Sequence, residues 1–121
     1  MPQNSETGRQ GCEIGYKNAD EIGALLGAVR LSNDSNEFRW NGRIVVIKTG
    51  SSAVVTRATL GRVTAIVYGE ETDNGWRLYE IAAKIFEKLS VQSRSRKHDE
   101  NYRLVRRKQI RETGRRISVE V

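Results

Sequence analysis

Glu37 and Lys48 are the residues in this sequence whose types and spacing could do chemistry together. They flank Asn41-Gly42, a dipeptide that favours a two-residue hairpin turn because both positions accept positive φ. Such a turn fixes the register, setting Trp40 opposite Arg43, Arg39 opposite Ile44, Phe38 opposite Val45 and Glu37 opposite Val46. Side chains alternate along strands, so Glu37, Arg39, Ile44, Val46 and Lys48 share one face, with Lys48 diagonal to Glu37. An acid and a lysine placed this way are half of a metal-dependent phosphodiesterase site. There, carboxylates hold a divalent cation and the lysine orients or activates water. The plain structural alternative is a cross-strand ion pair contributing about 0.2–1 kcal/mol.

A second constellation lies near the C-terminal end. Arg103, Arg107 and Arg111 recur every four residues, with Arg106 beside them. The spacing predicts a helix over Asp99–Thr113, closed by Gly114 as a C-cap. Four guanidinium groups then share one broad face, while Tyr102, Val105 and Ile110 meet the rest of the domain. Arginine's planar fork makes paired bonds to phosphate, so this face reads as a backbone-contacting surface with Lys108, Arg115 and Arg116 alongside. The alternative is a solvated helix laced by pairs such as Asp99–Arg103.

The charge distribution favours binding. The chain of 121 residues has 21 Lys and Arg against 15 Asp and Glu. Residues 1–90 carry 11 of each sign, so the whole excess of +6 falls in residues 91–121. A one-ended basic segment is the electrostatic footprint of a nucleic-acid binder, because a polyanion rewards clustered cations by counterion release. One Cys and one His exclude a disulfide framework and a Cys/His zinc site. His98 stands in a polar linker, and Cys12 has no neighbouring base that would make it a nucleophile. Gly50-Ser51-Ser52 lacks the further glycines and the Lys of a phosphate-binding loop. The apolar runs are too short to span a bilayer and Met1–Gly11 lacks a signal-peptide core, so a cytoplasmic protein without a membrane partner is expected.

The elements that must position these residues follow from the apolar pattern. Leu, Ile, Val and Phe number 29, and the 20 Val and Ile against seven Leu tilt the core toward strands. Asn18 and Glu21 form a capping-box pattern ahead of Ile22, Leu25, Leu26 and Val29, the apolar spacing of a helix. Gly23 and Gly27 on that helix suit close packing on a sheet. Beyond the first hairpin, Ala53–Thr59 reads as a strand or crossover. Val63–Tyr68 and Trp76–Ile81 read as strands joined through Asp73-Asn74-Gly75. Ile81–Leu89 reads as a short helix with Ile81, Ile85 and Leu89 on one face. Arg115–Val121 alternates as a last edge strand, where pairing with a second copy would make a homodimer. No internal repeat stands out. Trp40 and Trp76 border the two turns, where an aromatic packs over the sheet or stacks on a base. The expected class is α+β: an N-terminal helix, an antiparallel meander with hairpins at Asn-Gly, C-terminal helices and a final edge strand. The expected divisions are a disordered 1–11, an α+β core over 12–90, and a basic helix and strand over 91–121.

This arrangement resembles the PD-(D/E)XK nuclease superfamily over roughly Ala19–Ile81. The resemblance rests on a helix bearing Glu21, a strand bearing Glu37, a hairpin into the run Val46-Ile47-Lys48-Thr49, and the two following strands. It implies that Glu37 stands for the first metal-binding acid and Lys48 for the catalytic lysine, with Mg²⁺ as the cofactor of an active member. Val46 stands where the family places its second acid, and the proline before the first acid is absent. Glu21, or Asp34 in the preceding loop, could replace the lost ligand. Otherwise the fold has kept binding and lost catalysis. The expected function is therefore nucleic-acid binding, to DNA or RNA, on a nuclease-like fold. An active Mg²⁺-dependent nuclease and a regulatory module for an acidic protein partner are the alternatives.

Overall fold

The Asn41-Gly42 turn sets the geometry on which the rest is built. A computed structural model of the chain describes residues 15–32, 35–92 and 101–118. Asn41 and Gly42 both take positive φ, at 52° and 73°, and join β2 (Glu37–Trp40) to β3 (Arg43–Thr49). The register is the one the turn predicts, from Trp40 opposite Arg43 to Glu37 opposite Val46. The short β1 (Val29–Arg30) extends the pair on its outer side.

From β3 the chain crosses through β4 (Ser52–Thr56) and α2 (Arg57–Arg62) to β5 (Ala65–Thr72), which lies parallel to β3. Ala53–Thr59 is thus partly strand and partly helix. A tight turn at Asp73-Asn74 returns the chain antiparallel as β6 (Gly75–Ala82). These strands run longer than Val63–Tyr68 and Trp76–Ile81 suggested, because Thr72 pairs directly with Gly75. Then come α3 (Ala83–Leu89), β7 (Val91–Gln92), β8 (Tyr102–Arg106), α4 (Arg107–Thr113) and β9 (Arg115–Ile117). Among the described residues, six strands form one sheet in the order β1-β2-β3-β5-β6-β9, and three form another in the order β4-β8-β7. The class is α+β, with one parallel pair inside the expected antiparallel meander.

The helix expected over Asp99–Thr113 is corrected. Tyr102–Arg106 is a strand paired with β4, and helix begins only at Arg107. Val105 is fully buried and Tyr102, Arg103 and Leu104 partly so, a pattern that pairing to Val54 and Val55 can satisfy and an exposed helix could not. The basic stretch packs, where described, against the 12–90 core through Val105 and Ile110, two of the residues expected to meet it. Val105 and Ile110 belong to the same apolar cluster as Val46, Ile66, Tyr68 and Phe86.

Three strand-to-helix corners build that cluster. Thr56, Ala82 and Arg106 each hold an extended N-cap conformation. The residue before each cap (Val55, Ile81, Val105) is buried, and so is the residue four after it (Leu60, Phe86, Ile110). The recurrence is one of apolar spacing without shared identities, so no repeat was visible in the sequence. It also corrects α3: Phe86 is inside, while Ile85 is 44% exposed.

The other face of the large sheet is covered by α1, which is already helical at residue 15 and ends at residue 26. Asn18 therefore lies within the helix and does not cap it. Ala19 and Ile22 pack against Phe38, Trp40, Val45, Ile47 and Val67. Leu25 and Val29, expected on the apolar face, are instead exposed. Gly23 does allow close packing, since a Cβ there would sit 2.5 Å from a ring carbon of Phe38. Gly27 does different work: with φ at +71° it terminates the helix, and a Cβ there would meet nothing within 4 Å. Among the described residues, no helix is long and apolar enough to cross a membrane.

Candidate functional site

β2 and β3 deliver Glu37 and Lys48 to the same cleft, as the hairpin register requires. The cleft encloses about 740 Å³ and is walled by β4 and α2 through Val54, Thr56, Thr59 and Arg62. Its lining is rich in hydroxyl groups, with Ser35, Thr56, Thr59 and Tyr102 among them. Glu37 is buried at 8% exposure. Arg62 closes on it from two directions, Nε donating to Oε1 at 3.1 Å and Nη2 to Oε2 at 2.9 Å. Ser35 adds a third bond through its hydroxyl. Arg62's hydrogen bonds hold the Glu37 carboxyl below the ordinary carboxylate range against the opposing push of burial, and Ser35 and the charge of Lys48 assist. For Lys48, burial pushes the ammonium pKa down while Glu37 resists.

A divalent cation needs several oxygen ligands. Both Glu37 oxygens already accept from Arg62, and Val46 is buried in the apolar cluster with no oxygen to offer. Glu21 accepts a hydrogen bond from the Trp76 indole at 3.1 Å, on the face of the sheet that α1 covers, away from Glu37. Asp34, His98 and Cys12 lie outside the described residues. Among the described residues, no three His, Cys, Asp or Glu side chains come close enough to hold a metal. This donor set does not fit Mg²⁺.

The arginines expected on one helix face divide by what they touch. Arg103, on β8, donates to the Ser90 hydroxyl at 3.0 Å and to its carbonyl at 2.7 Å. Arg107 and Arg111, one turn apart on α4, converge on Glu70 of β5. Arg111 pairs with it through two nitrogens, while Arg107 lies 3.7 Å away and also donates to the Tyr68 hydroxyl and the Gly50 carbonyl. Arg77 approaches the same carboxylate at 3.7 Å from β6, directly across the ladder. Three guanidinium groups thus share one carboxylate, leaving two positive charges in excess. Arg111's hydrogen bond, opposed by burial and supported by the other two arginines, holds Glu70 below the ordinary carboxylate range. Arg115 belongs to a third group, bonding Glu80 at 2.7 Å beside Arg43. Burial raises the Glu80 pKa, but those two arginines outweigh it and the net shift is downward. Arg106 and Lys108 are exposed at the β8–α4 corner, and Arg116 is exposed on edge strand β9, over the Tyr79 ring.

Sequence reasoning missed Arg62, Arg77, Glu70 and Glu80. Their pairings span 25 to 41 residues or cross a ladder, and no local spacing announces them. A weak signal was present: Glu70 and Glu80 interrupt otherwise apolar strand patterns, and a buried acid needs a cation. No family model, no curated protein and no solved structure matches the chain.

Proposed function

We propose that the chain is a nucleic-acid-binding protein on a nuclease-like fold that grips polyanion backbone and does no metal-dependent cleavage. The observation carrying this reading is the imbalance at Glu70, where three half-exposed arginines meet one carboxylate. Guanidinium groups held in place by a buried acid lose little freedom when a phosphate arrives, and the excess charge remains for it. Exposed Arg106 and Lys108 extend the positive surface from the same corner, and Arg116 adds to it from β9. Arg103, bonded to Ser90, and Arg115, bonded to Glu80, are committed within the chain in this reading. The donor set around Glu37 supports the absence of metal chemistry, because its carboxylate is committed to Arg62.

Filter binding to long DNA and RNA across a salt series tests the reading. The logarithm of affinity should fall steeply with the logarithm of salt. Replacing Arg106 and Lys108 together by Glu should flatten the slope by about 2, one phosphate contact for each residue. A shallow slope in the parent would favour an acidic protein partner instead. Plasmid incubated with the protein and Mg²⁺ or Mn²⁺ should stay intact. Cutting that disappears in Lys48→Ala would establish the active nuclease and overturn the metal-free part.

A further inference from the structure

A second cleft lies at the end of the large sheet, where β3 stops at Thr49 and β5 continues past it. It encloses about 480 Å³, and its walls include Trp76, Arg107, Gly50, Gly69, Glu71 and Asn18. An aromatic ring and a cation facing one small cleft is the pairing that single-stranded nucleic acid uses, base on ring and phosphate on cation.

Both groups are fixed before any ligand arrives. The Trp76 indole donates to Glu21 at 3.1 Å from Nε1, which pins the ring to α1. The ring packs over Gly69, where a Cβ would sit 3.2 Å from ring carbon Cε3 and would also collide with Ile22. The absent side chain at Gly69 is what lets the ring lie close to the sheet. Trp76 remains partly exposed. On the other wall, Arg107 is oriented by the Tyr68 hydroxyl at 3.0 Å and the Gly50 carbonyl at 3.2 Å. An arginine has five N–H groups, and these two bonds use two of them. The other three have no acceptor among the described residues. Arg77 and Arg111 stand behind it on Glu70, so that carboxylate is more than neutralised before an anion reaches Arg107. Glu71, also on the wall, places a carboxylate where an N–H of a base could donate to it.

We infer that this cleft takes one unpaired nucleotide of a single strand, its base against the Trp76 ring and its phosphate on Arg107. The inference rests on the polyanion-binding reading and adds a preference to it. A base can stack on a side chain only when it is released from its own helix, so single strands bind better than duplex.

Tryptophan fluorescence tests this directly, since the chain has two tryptophans and Trp40 is buried at 9% exposure. In a Trp40→Phe protein the remaining emission comes from Trp76. Titration with a short oligothymidylate or oligouridylate should quench it, and a matched duplex should quench it less. Trp76→Leu should weaken single-strand binding about fivefold or more, by the loss of one stacked base. Trp76→Phe keeps a ring and should retain most of the affinity, which separates stacking from a folding defect. Duplex affinity should be the same in all three proteins. Unchanged Trp76 emission at saturating single strand, or equal affinity in Trp76→Leu, would overturn the inference. If salt-dependent binding to long polynucleotide persisted in that case, the charge reading would stand without the cleft. If no polynucleotide bound even at low salt, both would fall.

Discussion

Glu37 and Glu70 sit on the same face of the six-stranded sheet, Glu37 on β2 and Glu70 on β5, and each is held ionised by arginine. Their surroundings differ in one respect. Among the described residues Glu37 has one arginine, Arg62, matched to it bond for bond, and a lysine nearby that has no hydrogen bond. Among the described residues Glu70 has three arginines: Arg111 takes both of its oxygens, and Arg77 and Arg107 stand at 3.7 Å without a full share of the anion. At Glu37 the anion is consumed by its partner, so the cleft around it holds little free negative charge to offer a metal. At Glu70 the anion acts as an anchor for a larger positive group. One device, a buried carboxylate in an arginine's grip, therefore yields a closed site in one place and an open one in the other.

The largest test of this contrast removes each anion. Glu70→Gln leaves three cations facing one another and should cost about 2 kcal/mol of stability, since the network loses its negative charge and one of the two oxygens that accept from Arg111. Glu37→Gln frees Arg62, which can turn to solvent because its side chain is 55% exposed, and removes the counter-charge of a single lysine, Lys48, so it should cost less, about 1 kcal/mol. Urea midpoints measure both, and a reversed order would remove the distinction between anchor and closed pair.

Acid should reveal the same pairs together. The Glu37, Glu70 and Glu80 pKa values are all lower in the folded chain than their ordinary value of 4.5. Their stabilisation is therefore fully present above that value, and is lost as pH falls through the lowered folded values. Urea midpoints followed downward from pH 6 should be level at first and then drop. In the doubly substituted Glu37→Gln, Glu70→Gln protein the drop should be shallower, and an equal drop would mean that other groups drive acid unfolding.

The smallest expected effect has the opposite sign. Lys48 is easier to deprotonate in the folded chain, so its charge costs stability at neutral pH and the cost disappears as pH rises past its folded value. Lys48→Met should raise the urea midpoint at pH 7, with the gain shrinking toward pH 10. A lowered midpoint at pH 7 would show that the Glu37 contact outweighs the burial of the ammonium.

What the sequence made legible was local. A two-residue turn admits one register, and that alone brought Glu37 and Lys48 to a common face. The C-terminal segment misled because Arg103, Arg107 and Arg111 have helical spacing while Tyr102–Arg106 also alternates as a strand does. The choice between them lies with β4, some 50 residues away, whose Ala53 and Val55 need covering. The distant partner overrides local propensity in such cases. The first cleft was half legible for the same reason: the hairpin pair could be read, and the Arg62 that neutralises it could not. The cleft of Trp76 and Arg107 gave no combined signal, because its walls come from a hairpin and a helix that meet only after folding.

The pairing of β4 with β8 also bears on how the chain is made. Among the described residues β4 has no other strand beside it, so until Tyr102–Arg106 has left the ribosome the edge of β4 is bare and Ala53 and Val55 lack their cover. Strand edges waiting for a distant partner are slow to close and prone to pair with other chains. A nascent chain stalled near Ser90 should therefore be sensitive to protease and dependent on chaperones, becoming resistant only once β8 and β9 have emerged. The arginines of this last segment arrive at the moment the second sheet closes, so the positive charge gathered at Glu70 takes its final geometry only as folding is completed.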